Sequence, residues 1–131
     1  MKLISVKNAE YQIIQALKTN RVKRSQTHEV FVEGIESIKQ LLNTDIEITR
    51  VIIYDEKNLS DWGKNLVTKH KSKLINMSFD LYKELCDREE PSEVLVTAKI
   101  KPISLEDLSL PEKPFILIFD RPSDYGNFGS I

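Results

Sequence analysis

Cysteine occurs once in the 131 residues, as Cys86, so no internal disulfide can form and the chain reads as a protein of a reducing compartment. That thiol and the two histidines, His28 and His70, fall short of a structural zinc pattern, and no metal site is predicted. An excess of one charge is missing too: 19 Lys and Arg stand against 20 Asp and Glu, a formal net charge of -1. Any surface for a polyanion must therefore be local. The longest apolar run worth weighing is Phe115-Ile116-Leu117-Ile118-Phe119, far below the roughly 20 residues of a membrane helix. Residues Met1 to Lys7 carry charge but no sustained apolar stretch or small-residue cleavage site, which excludes a secretory signal. The expected location is cytoplasmic, with no membrane partner. With 40% apolar and 30% charged residues, the composition fits one globular domain plus the start of another rather than a disordered chain.

What is present is an alternation of helix and strand patterns. Asn8 can cap a helix over about residues 9–18, with Ile13, Ile14 and Leu17 on one face and Asn20 as its stop. Lys18, Arg21, Lys23 and Arg24 follow without an intervening acid, and Ser25-Gln26-Thr27-His28 reads as a polar loop. Val30-Phe31-Val32 is a short strand pattern, and Gly34 opens a helix with Ile35, Ile38, Leu41 and Leu42 at helical spacing. Further strands are expected at Ile48 to Tyr54, Lys73 to Met77 and Val94 to Ile100, with helices started by Ser60 and by Ser78. Phe79, Tyr82 and Leu85 mark the buried side of the last helix. Such alternation predicts an α/β fold, a mainly parallel or mixed sheet flanked by helices.

After Ile100 the pattern breaks at Pro102, Pro111 and Pro114. The expected organisation is a binding domain over residues 1–101, a linker over 102–113, and over 114–131 the first strand and loop of a second domain. The strand, Phe115 to Phe119, is expected to be buried. A strand followed by half a glycine-containing loop lacks neighbours for its ladder, which predicts a chain cut from a longer one. In that loop Gly126 and Gly129 permit close backbone approach and Asn127 offers a donor and an acceptor. On composition alone the same residues make an ordinary turn.

Asp120 with Asp124-Tyr125-Gly126-Asn127-Phe128-Gly129-Ser130-Ile131 resembles the first motif of the SpoU/TrmH family of RNA ribose 2′-O-methyltransferases, in the SPOUT superfamily. Phe31-Val32-Glu33-Gly34-Ile35 is similar to the strand-to-helix turn of that family's N-terminal substrate-binding domain. Leu85 to Pro91 before Val94-Leu95-Val96-Thr97-Ala98 resembles the domain's end. Pro91-Ser92-Glu93 departs from the family's usual Pro-Gln-Gly by exchanging a flexible glycine for an acid, and Tyr125 stands where proline is common.

The resemblance implies a ribosomal-protein-like RNA-binding domain joined to the truncated start of a knotted α/β catalytic domain that binds S-adenosylmethionine. It gives Asn127 a supporting catalytic role and puts the principal arginine two positions beyond Ile131, so this chain alone is expected to be inactive and to bind no cofactor. It further implies a structured ribosomal RNA as partner, rRNA processing as the setting, and a homodimer formed through the catalytic domain.

Binding would then fall to the basic segment. Lys18, Arg21, Lys23 and Arg24 can meet phosphates, while Gln26 and His28 can bond sugars or exposed bases. The lysines around His70 rank second. Tyr11, Trp62 and Tyr82 fit core packing better than base stacking, Glu33 fits hydrogen bonding to free amides, and Cys86 fits an inert buried thiol. The alternative function is a protein-interaction or dimerisation module of a ribosome-associated factor. A stand-alone enzyme is disfavoured, since no phosphate loop, dinucleotide fingerprint or nucleophile and base pair is visible.

Overall fold

Asn8 starts the first helix as its side chain allows: its Oδ1 accepts the Tyr11 amide at 3.0 Å, fixing α1 at Ala9–Thr19. In the computed structural model, which describes residues 1–120, Asn20 serves two helices. Its amide donates to the Ala16 carbonyl and ends α1, while its side chain accepts from Lys23 N at 3.1 Å and opens α2, Arg21–Thr27. The basic segment expected as a polar loop is thus mostly helical. It holds no proline or glycine, and its arginines and lysine are good helix formers. His28 ends α2 in the left-handed region, at φ 53°.

The remaining elements are β1 (Lys2–Ile4), β2 (Glu29–Glu33), α3 (Ile35–Leu42), β3 (Glu47–Ile53), α4 (Asp61–Lys69), β4 (Leu74–Met77), α5 (Phe79–Leu85) and β5 (Leu95–Lys99). Ser60 caps α4 through its side chain, which accepts from Gly63 N at 3.1 Å. Ser78 stands at the start of α5, but its hydroxyl makes no capping bond. Its amide donates instead to the Ile4 carbonyl at 2.9 Å, which ties β1 to the sheet.

The strands form one sheet in the order β1-β4-β3-β5-β2. β4 pairs parallel with β1 and β3, whereas β5 pairs antiparallel with β3 and β2. The sheet is therefore evenly mixed rather than mainly parallel. Leu95 to Ala98 are buried throughout, a pattern that marks a central strand without indicating its direction.

Helices cover both faces. Tyr11 and Ile14 from α1 and Leu81, Tyr82 and Leu85 from α5 pack with Ile52, Ile75 and Leu95. On the other face Ile38 from α3 and Leu66 and Val67 from α4 pack with Val51, Ile53 and Val96. The alternation Val51, Ile52, Ile53 sends neighbours to opposite layers, and each fully buried aliphatic side chain contributes about 1.5–3 kcal/mol. Phe79, expected in the core, is 47% exposed. It sits in the first turn of α5 with its ring edge-on to Tyr54, centroids 5.1 Å apart.

Beyond β5, residues 100–119 are exposed, with one short 3-10 turn at Leu105–Asp107. Phe115 to Phe119 is neither a strand nor buried, Phe115 being 87% and Ile118 91% exposed. Among the described residues no strand lies beside it to complete a ladder, and an apolar run alone does not supply one.

Candidate nucleic-acid interface

The six residues expected to meet RNA divide into two groups. Lys18 is nearly buried along its stem, with 17% of its side chain exposed and Nζ 2.7 Å from Asp87 Oδ1. Arg24 turns back on α1: its Nη1 donates to the carbonyls of Leu17 at 3.0 Å and Lys18 at 2.9 Å. A cation there satisfies carbonyls left open at the helix end and opposes the helix dipole. Both side chains are thus engaged within the fold. Arg21, Gln26 and His28 are exposed and Lys23 is half-buried, and neither Arg21 nor Lys23 has an ion pair among the described residues.

The fold brings Arg21, Arg24 and His28 to one cleft of about 250 Å³, floored by Val30, Ile100 and Pro102. Lys18 faces away from it, toward the turn after α5. Asn127, with the whole of 124–131, lies outside the described residues. The second basic cluster is less open. Lys73 is held by Glu47 at 3.0 Å and by the Ile48 carbonyl at 2.5 Å. Burial, then Lys69 and Lys73, push the His70 imidazole below its ordinary pKa.

At the opposite end of the sheet the polar groups are turned inward. Gly34 takes φ 98° between β2 and α3, a conformation that only glycine adopts readily. Beside it Glu33 Oε2 accepts the Asp87 amide at 2.9 Å, the kind of role expected of it, although the amide comes from the distant turn after α5. Glu33 Oε1 is buried without a partner. Burial, then the Glu33 carboxylate, push the Cys86 thiol up to about 12, so it stays protonated and inert at neutral pH. Glu93, the acid that replaces a glycine, binds Ser60 twice, accepting from its amide and its hydroxyl, both at 2.6 Å. It thereby places negative charge at the start of α4.

Between these groups runs an open groove of about 660 Å³ lined by Ser37, Lys39, Arg88 and Glu90 among others. Sequence reasoning missed this groove. Its only visible signal was Arg88, alone among acids.

One further ionic cluster crosses the sheet, centred on Arg50 in the middle strand β3. Arg50 Nε donates to Glu10 Oε1 at 2.6 Å, and its Nη1 donates to Glu29 Oε2 at 3.0 Å and Thr97 Oγ1 at 3.2 Å. Lys2 and Arg50, through their hydrogen bonds, hold the Glu10 carboxyl below its ordinary pKa.

A mixed sheet between two pairs of helices, with a short basic helix at its edge, defines an α/β domain. Residues 8–97 match the SpoU L30e-like domain, and the chain belongs to that family. It is 33% identical over 130 residues to a 23S rRNA (uridine(2479)-2'-O)-methyltransferase of Streptomyces viridochromogenes, covering 98% of this chain and 45% of the relative. The chain thus spans about half the length of that curated relative. Among solved structures it is similar to the SpoU methyltransferase AviRb of the same organism in complex with AdoMet. That likeness has a TM-score of 0.82 and 31% identity over 94% of this chain and 47% of the other. An RNA 2'-O ribose methyltransferase shares the fold, with a TM-score of 0.73 and 22% identity over 98% of this chain and 49% of the other.

Proposed function

We propose that the chain is the RNA-binding part of an S-adenosylmethionine-dependent ribosomal RNA ribose 2′-O-methyltransferase. The observation that carries this reading is the 33% identity to a 23S rRNA 2'-O-methyltransferase along 98% of the chain. That likeness favours it over a protein-interaction or dimerisation module. Residues 1–101 form the binding domain, 102–113 the linker, and 114–131 the opening of the catalytic domain, where Asn127 supports the reaction. The full-length enzyme acts as a homodimer in the cytoplasm, in rRNA processing, as TrmH-like enzymes do, while this chain alone does not methylate.

S-adenosylmethionine supplies the methyl group in that enzyme. The part of residues 1–120 is to grip and orient. Arg21 and Lys23 carry the electrostatic contact with phosphates, and Gln26 and His28 bond sugars or bases, while Lys18 and Arg24 hold the helices that present them. Binding energy collected here positions a ribose at a distance from the bonds that change.

The test is fluorescence anisotropy of a labelled rRNA fragment against the 131-residue chain over a range of salt. Binding should weaken as salt rises. Arg21→Gln with Lys23→Gln should flatten the slope of log affinity against log salt by about 1.4 on single-stranded RNA. Unchanged affinity and slope in that double variant would remove α2 as the contact surface.

A further inference from the structure

Past Lys99 the chain turns over the ends of β2 and β3. Ile100 is held at that corner by its amide, which donates to the His28 carbonyl at 2.7 Å. The stretch after it forms one wall of an open cleft of about 650 Å³. Ile46, Ile100, Pro102 and Ile103 make the walls aliphatic, and Lys99 and Lys101 stand among them. His28, Ile100 and Pro102 also line the smaller cleft that contains Arg21 and Arg24. The two clefts therefore adjoin at these residues, with aliphatic side chains on the walls of the larger and Arg21 and Arg24 at the smaller.

Two carboxylates also line the larger cleft, Asp45 and Glu47. Glu47 is occupied by Lys73 at 3.0 Å. Asp45 has no ion pair among the described residues and is free to accept a hydrogen bond.

An apolar slot beside free cations suits a ligand that is flat and apolar on one side and anionic on the other. A nucleotide pulled out of its stack has that character, with a ring to lie against aliphatic walls and a phosphate to meet arginine or lysine. A base inside a duplex does not, because its faces are covered by its neighbours. We propose that this cleft takes an unstacked base of single-stranded RNA while the adjoining phosphates run over Arg21. Asp45 accepts from the base's amine groups. The proposal rests on the RNA-binding function above and adds the form of RNA that is held.

The experiment titrates the 131-residue chain, by anisotropy at low salt, with a labelled single-stranded oligoadenylate of about 12 nucleotides and with a duplex RNA of the same length. Ile103 is 73% exposed, so Ile103→Asn changes the cleft without touching the core or adding charge. Circular dichroism checks that the fold is intact.

Ile103→Asn should weaken single-strand binding about fivefold and leave duplex binding unchanged, with Ile103→Leu restoring the loss. Arg21→Gln with Lys23→Gln should weaken both. If Ile103→Asn leaves single-strand binding intact, or weakens both RNAs equally, while the double variant still loses affinity, the cleft holds no base and the RNA-binding function stands. If the unaltered chain binds neither RNA, that function fails and this proposal with it.

Discussion

The two ends of the sheet spend their charges differently. Around the turn after α5, Glu33 and Glu93 each take a backbone amide and Asp87 holds Lys18, so these three acids are engaged by the fold, while Glu89 and Glu90 stand exposed. At the α2 end two cations of the basic run are consumed as well, but Arg21 and Lys23 are left over. The lesson is that a run of like charges is not a unit. Helical geometry splits it between residues that build the surface and residues that the surface offers.

The sharpest way to break this comparison is at Gly34. Alanine there must adopt φ 98°, and stability should fall by about 1–3 kcal/mol, read as a lower melting temperature. A smaller loss would mean that the Glu33 end relaxes more easily than its bonding suggests.

Next comes the pair that separates building from offering. Arg24→Ala should cost about 1–2 kcal/mol in denaturant unfolding, because two α1 carbonyls lose their donor. Arg21→Ala should stay within about 0.5 kcal/mol while weakening RNA binding. Equal effects of the two on stability would erase the distinction.

The smallest effect expected is on acid tolerance. Glu10 has a lowered pKa in the folded chain, so its ion pairs contribute full stability above the ordinary carboxylate range and lose it as pH falls through the lowered value. Glu10→Gln should therefore make unfolding free energy fall less steeply on the acid side, by urea titration at several pH values. An unchanged pH slope would show that the pairs with Lys2 and Arg50 add nothing.

Much of the architecture was legible because it follows from local rules. Asn8 and Ser60 cap where their side chains can reach an amide, and Ile35, Ile38, Leu41 and Leu42 recur at helical spacing, so α1, α3 and α4 could be placed by inspection. What escaped depends on partners distant in sequence. β1 buries only Ile4 of its three residues, too few for a periodic signal. The direction of β5 is set by its neighbours, and Phe115 to Phe119 has strand composition without a pairing strand among the described residues. At the candidate site the residue types were readable, since Arg21, Gln26 and His28 stand open to solvent and Lys23 is only half-buried. The engagement of Lys18 and Arg24 was not, because their partners are an acid 69 positions along the chain, Asp87, and carbonyls that only a helix end leaves open.

One bond joins these matters mechanically. Because the Ile100 amide is fastened to the carbonyl of His28, the last residue before β2 and the first after β5 share a knot of backbone. Tension applied to the chain downstream of residue 100 reaches the tip of the short cationic helix before any core side chain is disturbed, so this corner is where a pull on the tail would first be felt.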